Sequence, residues 1–266
     1  MTSENPLSKL LKLVSNSRKY LDLVRLLKNG HIVSLYSRGD FYDLAYKGYR
    51  GDTTFYSSLI GKHDKSLYLG TGTGRIFAKL ANQCPLLLGV DYSPHMLKVM
   101  LKRFPQISRD RILIKDVFKL KMKPRTFDVI IAPFSFFTQF ERAASLKLVR
   151  KLHSFLKKGG RLYADFYSPY SNPKNTELEI RRFNISSSKY FYKIYHYPKS
   201  EKKLNEYTVI YDAGNVVVLE LKLFDYYPKD IRQIFSGGGF KKIKLTSGFS
   251  RSVKNTDLVT VYAVKN

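Results

Sequence analysis

Across residues 65–166 the sequence alternates short apolar runs with amphipathic stretches, and this alternation constrains the fold more than any other feature. Short apolar runs are typical of buried parallel strands, and apolar residues at three- and four-residue intervals are typical of helices. Strands that alternate with helices in this way indicate a doubly wound α/β sheet. The predicted strands are 66–69, 86–90, 111–115, 127–132 and 161–166, and the predicted helices are 75–82, 94–104 and 142–156.

Composition narrows the class of protein further. Lys and Arg number 47 against 21 Asp and Glu, a formal net charge of +26, yet the hydrophobic fraction of 44% is too high for a disordered chain. The single cysteine, Cys84, excludes an internal disulfide framework and a multi-cysteine metal site. The longest uncharged apolar stretch, 129–140, is too short to span a membrane, and no apolar core follows a basic start. We therefore expect a soluble, cytoplasmic protein without a secretory signal.

Residues 5–30 are predicted to form one helix, because leucines and valines recur there at three- and four-residue intervals before Gly30. The basic residues between them leave open a membrane-surface or organelle-targeting helix. Glu4 and Asp22 dilute the cationic face, which favours a helix that packs its apolar stripe on the domain.

In an open α/β sheet ligands bind outside the carboxyl ends of the strands, so the residues just past each strand are the first candidates for a site. The first strand runs directly into Gly70-Thr71-Gly72-Thr73-Gly74. Glycines there permit a tight turn and close approach of the backbone to a ligand. The dinucleotide fingerprint would need its third glycine at Arg75, and no Gly-Lys-Ser/Thr follows. Both a nicotinamide or flavin cofactor and a phosphate-binding P-loop are therefore disfavoured.

Two aspartates follow the next two strands. Asp91 is placed to accept hydrogen bonds from both ribose hydroxyls of a nucleoside, although it could merely cap the following helix near Ser93-Pro94. Asp116 could accept from an adenine amine while the Val117 N–H reads the ring edge. A turn-forming aspartate is the alternative for Asp116.

Taken together and in order, these motifs resemble the core of class I S-adenosylmethionine (SAM)-dependent methyltransferases. The matching segments are 69–75 for the glycine motif, 89–93 with Met96-Leu97 for the ribose motif, Asp116-Val117 for adenine, 127–130 for the fourth strand and 156–162 for the turn into the fifth. The resemblance implies a Rossmann-like, doubly wound, seven-stranded, mostly parallel sheet and SAM as the cofactor, without a metal. The cofactor-binding residues that it implies are Tyr46, Gly70, Thr71, Gly72, Gly74, Asp91, Tyr92, Met96, Asp116, Val117, Ala132 and Pro133.

The resemblance extends beyond the core. Residues 41–46 resemble the tyrosine-rich segment of small-molecule N- and O-methyltransferases such as the sugar-amine enzymes. Segments 189–197, 207–211 and 216–227 alternate as antiparallel strands around a turn at 212–215, like the insertion that those enzymes pack over the substrate pocket. Residues 231–240 resemble their last helix and its glycine exit into a closing hairpin, which ends at 258–264. The predicted organisation is an N-terminal helical segment over 1–40 and a methyltransferase domain over 41–266, with a lid-like antiparallel insertion at about 185–227.

One position departs from the family. An Asp or Glu usually stands two residues before the first glycine and contacts the methionyl part of SAM, and here that residue is Tyr68. A phenol accepts a hydrogen bond from the ammonium but brings no charge. We expect weaker cofactor binding or a compensating acid elsewhere. A protein that no longer binds the cofactor is the alternative.

The implied reaction is a direct in-line displacement, so the protein mainly positions two partners. Aromatic faces attract the sulfonium cation, and the candidates for such a wall are Tyr42, Tyr46, Phe134, Phe136 and Phe137, although the phenylalanines could equally be core. No catalytic dyad is evident, and a neutral amine acceptor would need none. Weak candidates for a base are Tyr42 and His196, then Asp43, whereas His153 is expected to be a surface or packing residue.

The positive charge of the chain does not decide whether the methyl acceptor is a small molecule or a nucleic acid. Residues 98–125 contain ten basic and two acidic residues, and such a field attracts polyanions, although drift of composition in an AT-rich genome could produce much of the lysine. We predict methyl transfer to a nitrogen or oxygen of a small molecule, anionic ones included. The alternatives are an RNA methyltransferase and an inactive methyltransferase-like subunit of a nucleic-acid assembly. Nucleic acid is thus a second candidate partner, and the sequence does not indicate an oligomeric state.

Overall fold

A computed structural model describes residues 6–15, 20–167, 177–198, 203–249 and 258–266. The chain forms two compact units, a smaller one made of Met1–Arg38 with Lys174–Leu223 and a larger one made of Gly39–Pro173 with Phe224–Asn266. The N-terminal segment thus falls in the same unit as the antiparallel insertion. The predicted division into 1–40 and 41–266 stays a prediction.

The elements follow in chain order. The helices are α1 Pro6–Ser15, α2 Leu21–Asn29, α3 Gly39–Ala45, α4 Asp52–Ser57, α5 Phe77–Gln83, α6 Pro94–Arg103, α7 Arg142–Phe155 and α8 Pro228–Gly237. The strands are β1 His31–Ser34, β2 Ser66–Leu69, β3 Leu87–Asp91, β4 Ile112–Ile114, β5 Phe127–Ala132, β6 Leu156–Tyr167, β7 Leu178–Ser186, β8 Lys189–His196, β9 Lys203–Asp212, β10 Asn215–Phe224, β11 Lys242–Ser247 and β12 Leu258–Val264. Among the residues described, no helix has the length and apolarity needed to cross a membrane.

The larger unit is built on a seven-stranded sheet in the order β11-β12-β6-β5-β2-β3-β4. Strands β2 to β6 are paired in parallel, and β12 runs antiparallel to both of its neighbours. The predicted seven-stranded, mostly parallel α/β sheet is therefore confirmed. Because β2 is the middle one of the five parallel strands, the carboxyl ends of β2, β3, β4, β5 and β6 meet at one edge.

Both faces of the sheet are buried at the inner strands β2 and β5, which explains why these two strands are apolar almost throughout. Successive residues of β2 enter different clusters, since Leu67 and Leu69 pack with α7 and α8 while Tyr68 packs with α5. One predicted boundary is wrong: β6 begins at Leu156 rather than at 161. The intervening residues pair with the end of the chain, because Gly159 N–H donates to the Lys265 carbonyl and Lys265 N–H donates to the Gly160 carbonyl.

The smaller unit is a five-stranded sheet in the order β1-β10-β9-β8-β7, and the predicted antiparallel strands correspond to β8, β9 and β10. Strand β7 lies at the edge of this sheet and is mostly exposed, so its apolar pattern was too weak to predict. The single helix predicted for 5–30 is wrong. Two helices, α1 and α2, take its place, and Tyr20 before α2 has φ −121° and ψ 33°, outside the helical region. Leu10, Val14, Leu23 and Leu27 of these helices are buried in one cluster with strand residues of the same unit.

Candidate active site

The loop after β2 needs its glycines for conformational reasons. Gly70 and Gly72 have φ of +70° and +55°, in the left-handed region that side chains disfavour. A Cβ added to Gly70 would lie 2.9 Å from the Phe136 ring, whereas one added to Gly72 would meet nothing within 4 Å. The loop therefore packs on one side and borders open space on the other. Gly74 closes the turn by donating its N–H to the Thr71 carbonyl over 3.0 Å.

The Asp91 carboxylate joins this loop to the end of β3. Its Oδ2 accepts from the Gly72 N–H over 2.7 Å, and its Oδ1 accepts from the Ser93 N–H over 2.9 Å. The Asp91 carbonyl accepts from the Lys115 N–H over 2.9 Å, which brings the end of β4 to the same place. Burial raises the pKa of Asp91, and the backbone hydrogen bonds oppose that rise. Three strand ends thus converge on one residue, Asp91.

The end of β4 carries the predicted adenine contacts. Asp116 Oδ1 accepts from the Phe118 N–H over 2.8 Å, so this aspartate does form the turn that was its alternative role. Its other oxygen makes no hydrogen bond within the described ranges. Val117 is buried beside it, and Tyr92 at the end of β3 is 54% exposed. Met96 is buried on α6, whose first turn is capped by Ser93 Oγ through the Met96 N–H.

Two observations test whether this edge fits a nucleoside-bearing cofactor. Thr71 Oγ1 is buried at the glycine loop and finds no hydrogen-bond partner in the part of the chain that the structure describes. A buried hydroxyl normally has a partner, so a polar ligand beside the loop would satisfy it. The open space next to Gly72 provides room for that ligand. The residues present therefore fit the cofactor that the sequence indicates.

A second buried carboxylate, Asp165 on β6, organises the loop after β5. It is fully buried, and its Oδ2 accepts from the Tyr56 hydroxyl over 2.5 Å and from the Phe134 N–H over 2.7 Å. Its Oδ1 accepts from the Ser135 N–H over 2.7 Å. Phe134 and Ser135 have φ of +54° and +55°, a strained conformation for residues with a Cβ. Burial raises the pKa of Asp165 to about 6, against the effect of these hydrogen bonds.

The sequence analysis did not single out Asp165. A charged residue inside the apolar run 161–166 was the available signal, because a buried charge requires partners. Tyr49 was missed as well. Its hydroxyl lies 3.2 Å from Ser135 Oγ, which also accepts from the Tyr167 N–H over 2.8 Å. Burial, first of all, raises the pKa of Tyr49, and the nearby Asp165 charge adds to the rise.

The predicted aromatic wall forms in part. Tyr42 and Tyr46 are stacked with centroids 5.1 Å apart, and Tyr46 meets the Phe134 ring edge-on at 6.5 Å. Tyr49 adds a further ring, 5.0 Å from Phe134. Phe137, by contrast, is fully buried in the core and stacks on Phe166, and Phe136 packs against Gly70 and Phe137. The wall is therefore made of the first three predicted rings and Tyr49.

Comparisons with known proteins agree with this geometry. Residues 67–160 match the family model described as a methyltransferase domain. The chain contains a methyltransferase domain. The resemblance predicted from the sequence is therefore confirmed. A search of curated proteins finds no match.

Several solved methyltransferases share the fold of this chain. The CcbJ methyltransferase from Streptomyces caelestis has a TM-score of 0.73 at 16% identity, covering 88% of this chain and 99% of that one. The sugar N-methyltransferase KedS8 from Streptoalloteichus has a TM-score of 0.64 at 17% identity, covering 85% and 92%. SAM-bound CalS10, an amino pentose methyltransferase from Micromonospora echinaspora, has a TM-score of 0.59 at 16% identity, covering 94% and 98%. At such identities these structures support the fold alone.

Tyr68, which stands where the family usually has an acid, lies near three charged side chains of the methyltransferase domain. Tyr68 is buried, with its ring edge-on to Phe77 at 5.6 Å. Burial raises the pKa of Tyr68 well above its ordinary value, the Arg75 charge lowers it, and the charges of Asp52 and Asp165 raise it further. Arg75 neutralises Asp52 through two hydrogen bonds of 2.8 and 2.5 Å. Asp165 has no cation partner among the residues described, so it contributes an uncompensated negative charge near Tyr68.

The remaining predicted residues of the methyltransferase domain lie as follows. Ala132 and Pro133 end β5 and are buried, next to the strained turn. Asp43 accepts from the Thr73 hydroxyl over 2.6 Å and pairs with Arg103, so α3 is fastened to the glycine loop and this carboxylate is already engaged. No cluster of three or more potential metal-ligating side chains occurs within the described ranges.

The two histidines that the sequence offered as possible bases, His196 and His153, lie on different elements. His196 lies on β8 of the smaller unit, opposite Leu178 and Asn205 in the register, while Tyr42 lies beside the strand ends of the larger unit. His153 packs edge-on against Phe240 with the ring centroids 4.9 Å apart, and burial lowers its pKa. The geometry of His153 is that of a packing residue.

Proposed function

We propose that this methyltransferase transfers a methyl group from SAM to a nitrogen or oxygen of a small molecule, and that the acceptor is an amino sugar or a similar compound, anionic forms included. The convergence of the β2, β3 and β4 ends on Asp91 carries the proposal. When bound, SAM would supply the methyl group of its sulfonium. The acceptor's nitrogen or oxygen would bond to the methyl carbon while the carbon–sulfur bond breaks and the neutral thioether leaves. The printed descriptions of KedS8 and CalS10 as sugar and amino pentose enzymes support the acceptor class.

The chain's own residues suffice to bind such a cofactor. The N–H groups and Thr71 hydroxyl of the glycine loop would hold its amino-acid end, and the Asp91 carboxylate would accept from its ribose hydroxyls. The unused Asp116 oxygen and the Val117 N–H would meet the adenine edge, with Tyr92 against the ring face. The uncompensated charge of Asp165 would offset the loss of the family's acid at Tyr68, because a cation near a buried carboxylate is attracted to it.

The reaction itself asks mainly for orientation. Tyr42, Tyr46 and Phe134 form an aromatic surface that attracts a cation and excludes water. A neutral amine needs no base before attack, so no dyad is required. A hydroxyl acceptor would need a base to take its proton, and Tyr42 is the candidate for that base at this edge of the sheet.

Isothermal titration calorimetry with SAM, followed by mass spectrometry of an acceptor panel, tests the proposal. We expect one SAM site per chain, loss of at least about tenfold in affinity for Asp91→Asn, and no change for the exposed control Asp110→Asn. Nucleotide-linked and free amino sugars should gain one methyl group. No measurable SAM binding would favour an inactive subunit. Methylation of RNA but of no amino sugar would favour the RNA methyltransferase.

A further inference from the structure

Four acidic residues of the larger unit are ion-paired with cations away from β4. Arg75 pairs with Asp52, Arg142 with Asp230, Lys157 with Asp128 and Arg161 with Asp64. Each of these pairs neutralises itself. The excess of basic over acidic residues, which gives the whole chain a net charge of +26, therefore lies on cations without such a partner.

Such pairing is scarce along residues 98–125, which lead from α6 through the edge strand β4 to β5. Of the ten basic residues there, Arg103 pairs with Asp43, and Arg111 donates to the carbonyls of Leu87, Ala81 and Cys84. The other eight are exposed and have no carboxylate partner within the described ranges. We call these eight the β4-edge ridge: Lys98, Lys102, Arg109, Lys115, Lys119, Lys121, Lys123 and Arg125.

The two acids of this stretch offset only part of the charge of the eight ridge residues, and neither forms an ion pair with one of them in the described part of the chain. Asp110 accepts from the Ser108 hydroxyl, and Asp116 caps the turn at Phe118. Both are thus tied to local backbone or hydroxyl groups. The ridge is a run of net positive charge, which attracts a polyanion.

An exposed aromatic ring stands within the ridge. Phe118 is 37% exposed, and neighbouring Ile114 is 61% exposed. The Phe118 ring is held edge-on against Phe140 with centroids 5.0 Å apart, and Lys151 Nζ donates to the Phe118 carbonyl. A ring that is fixed by this contact and is still 37% exposed can stack on a ligand at little cost in conformational entropy. A fixed aromatic face among lysines is the combination that binds unpaired bases and their phosphates.

We propose that the β4-edge ridge binds single-stranded nucleic acid, with Lys119, Lys121 and Lys123 at the phosphates and a base stacked on Phe118. This goes beyond the proposed methyl transfer and does not depend on it. An anionic membrane would also be attracted by the lysines, but the preference of the ridge for unpaired bases rests on the Phe118 ring.

The opposite edge of the same sheet supplies a matched control. Lys241, Lys242 and Lys244 lie at β11, are exposed, and have no carboxylate partner in the described part of the chain. The triple variants K119Q/K121Q/K123Q and K241Q/K242Q/K244Q therefore remove the same charge from the two edges. Neither set belongs to the cofactor site, so SAM affinity should stay unchanged in both and report on folding.

Fluorescence anisotropy with short labelled RNA and DNA single strands of one sequence tests the proposal. We expect binding at low salt, and a log–log salt slope that falls in magnitude by about 2 in the ridge variant, at about 0.7 per lost phosphate contact. The β11 variant should change the slope far less. Phe118→Leu should weaken binding about tenfold, and Phe118→Tyr should not. The RNA and DNA arms show which strand is preferred.

Three results would overturn the proposal. Equal losses in the two triple variants would mean that bulk charge alone attracts the strands. Absence of binding to either strand at low salt would exclude the interaction. Ridge-dependent binding to vesicles of phosphatidylserine and phosphatidylcholine, without binding to the oligonucleotides, would assign the ridge to a membrane surface instead.

Discussion

Two regions of the seven-stranded sheet use the same device at different strand ends. Asp91 of β3 and Asp165 of β6 are both buried, and each accepts from a left-handed turn after a neighbouring strand: Asp91 accepts one backbone N–H, and Asp165 accepts two. The turn that Asp91 holds contains glycine, which adopts positive φ without strain. The turn that Asp165 holds contains Phe134 and Ser135, which do not. The carboxylate at β6 must therefore stabilise a conformation that the sequence of its turn opposes.

The largest effect should come from replacing the Asp165 carboxylate by an amide. In Asp165→Asn the amide can accept on one side only, so at least one backbone N–H would face an N–H donor while the left-handed strain remains. We expect a loss of about 3 kcal/mol in the free energy of unfolding at pH 7, measured by urea denaturation. Asp91→Asn should lose about 2 kcal/mol, because Asp91 also accepts two backbone N–H groups, Gly72 from the strain-free turn and Ser93 from the end of its own strand.

Tyr56→Phe separates the two contributions, since it removes a single donor from Asp165 and leaves both backbone bonds. It should cost about 1 kcal/mol. A loss in Asp165→Asn that is no greater than that in Asp91→Asn would contradict the view that the β6 carboxylate holds a strained turn.

The stability that Asp165 contributes should also depend on pH. The pKa of Asp165 is about 6, above its ordinary value of 3.8, so the folded protein binds this proton more tightly than the unfolded chain. Stability from this group is present at low pH and is lost as pH rises through about 6. Between pH 5 and pH 7 the advantage of the wild type over Asp165→Asn should shrink by about 1.5 kcal/mol. Urea denaturation at both pH values measures it, and an advantage that grows over this range would show the opposite sign of the pKa shift.

The same contrast explains what the sequence could predict. The glycine turn was predictable because Gly70 and Gly72 are the residue type that its φ values require. The strained turn was not, since nothing local in Phe134 and Ser135 favours positive φ and the cause lies on β6, about thirty residues away. Sequence patterns report what the local chain prefers and miss what a distant buried group imposes.

Phe134 and Phe137 give a second instance. Both belong to one aromatic run, and the sequence offered no means to assign one to the site and the other to the core. The turn decides, because positive φ at Phe134 places its ring against Tyr46 and Tyr49, while Phe137 stacks on Phe166. The fold followed from periodicity, whereas this half of the site depended on tertiary contacts.

The smallest expected change in stability comes from substitutions in the two left-handed turns. Adding a Cβ at Gly72 should lower the stability, and removing the Cβ at Ser135 should raise it. Gly72→Ala adds a Cβ where there is room but where φ is +55°, so it should lose about 1 kcal/mol of stability from backbone strain alone. At Ser135 φ is also +55°, but replacing this residue by glycine also removes the serine hydroxyl. The effect of strain must therefore be measured against a second variant that lacks the same hydroxyl. Ser135→Gly should therefore be compared with Ser135→Ala and should be more stable by about 1 kcal/mol, since both lack the hydroxyl that faces Tyr49 and Tyr167. Thermal denaturation of the three variants measures these differences. If alanine equalled glycine at Ser135, the turn after β5 would carry no strain, and Asp165 would be left without the task that distinguishes it from Asp91.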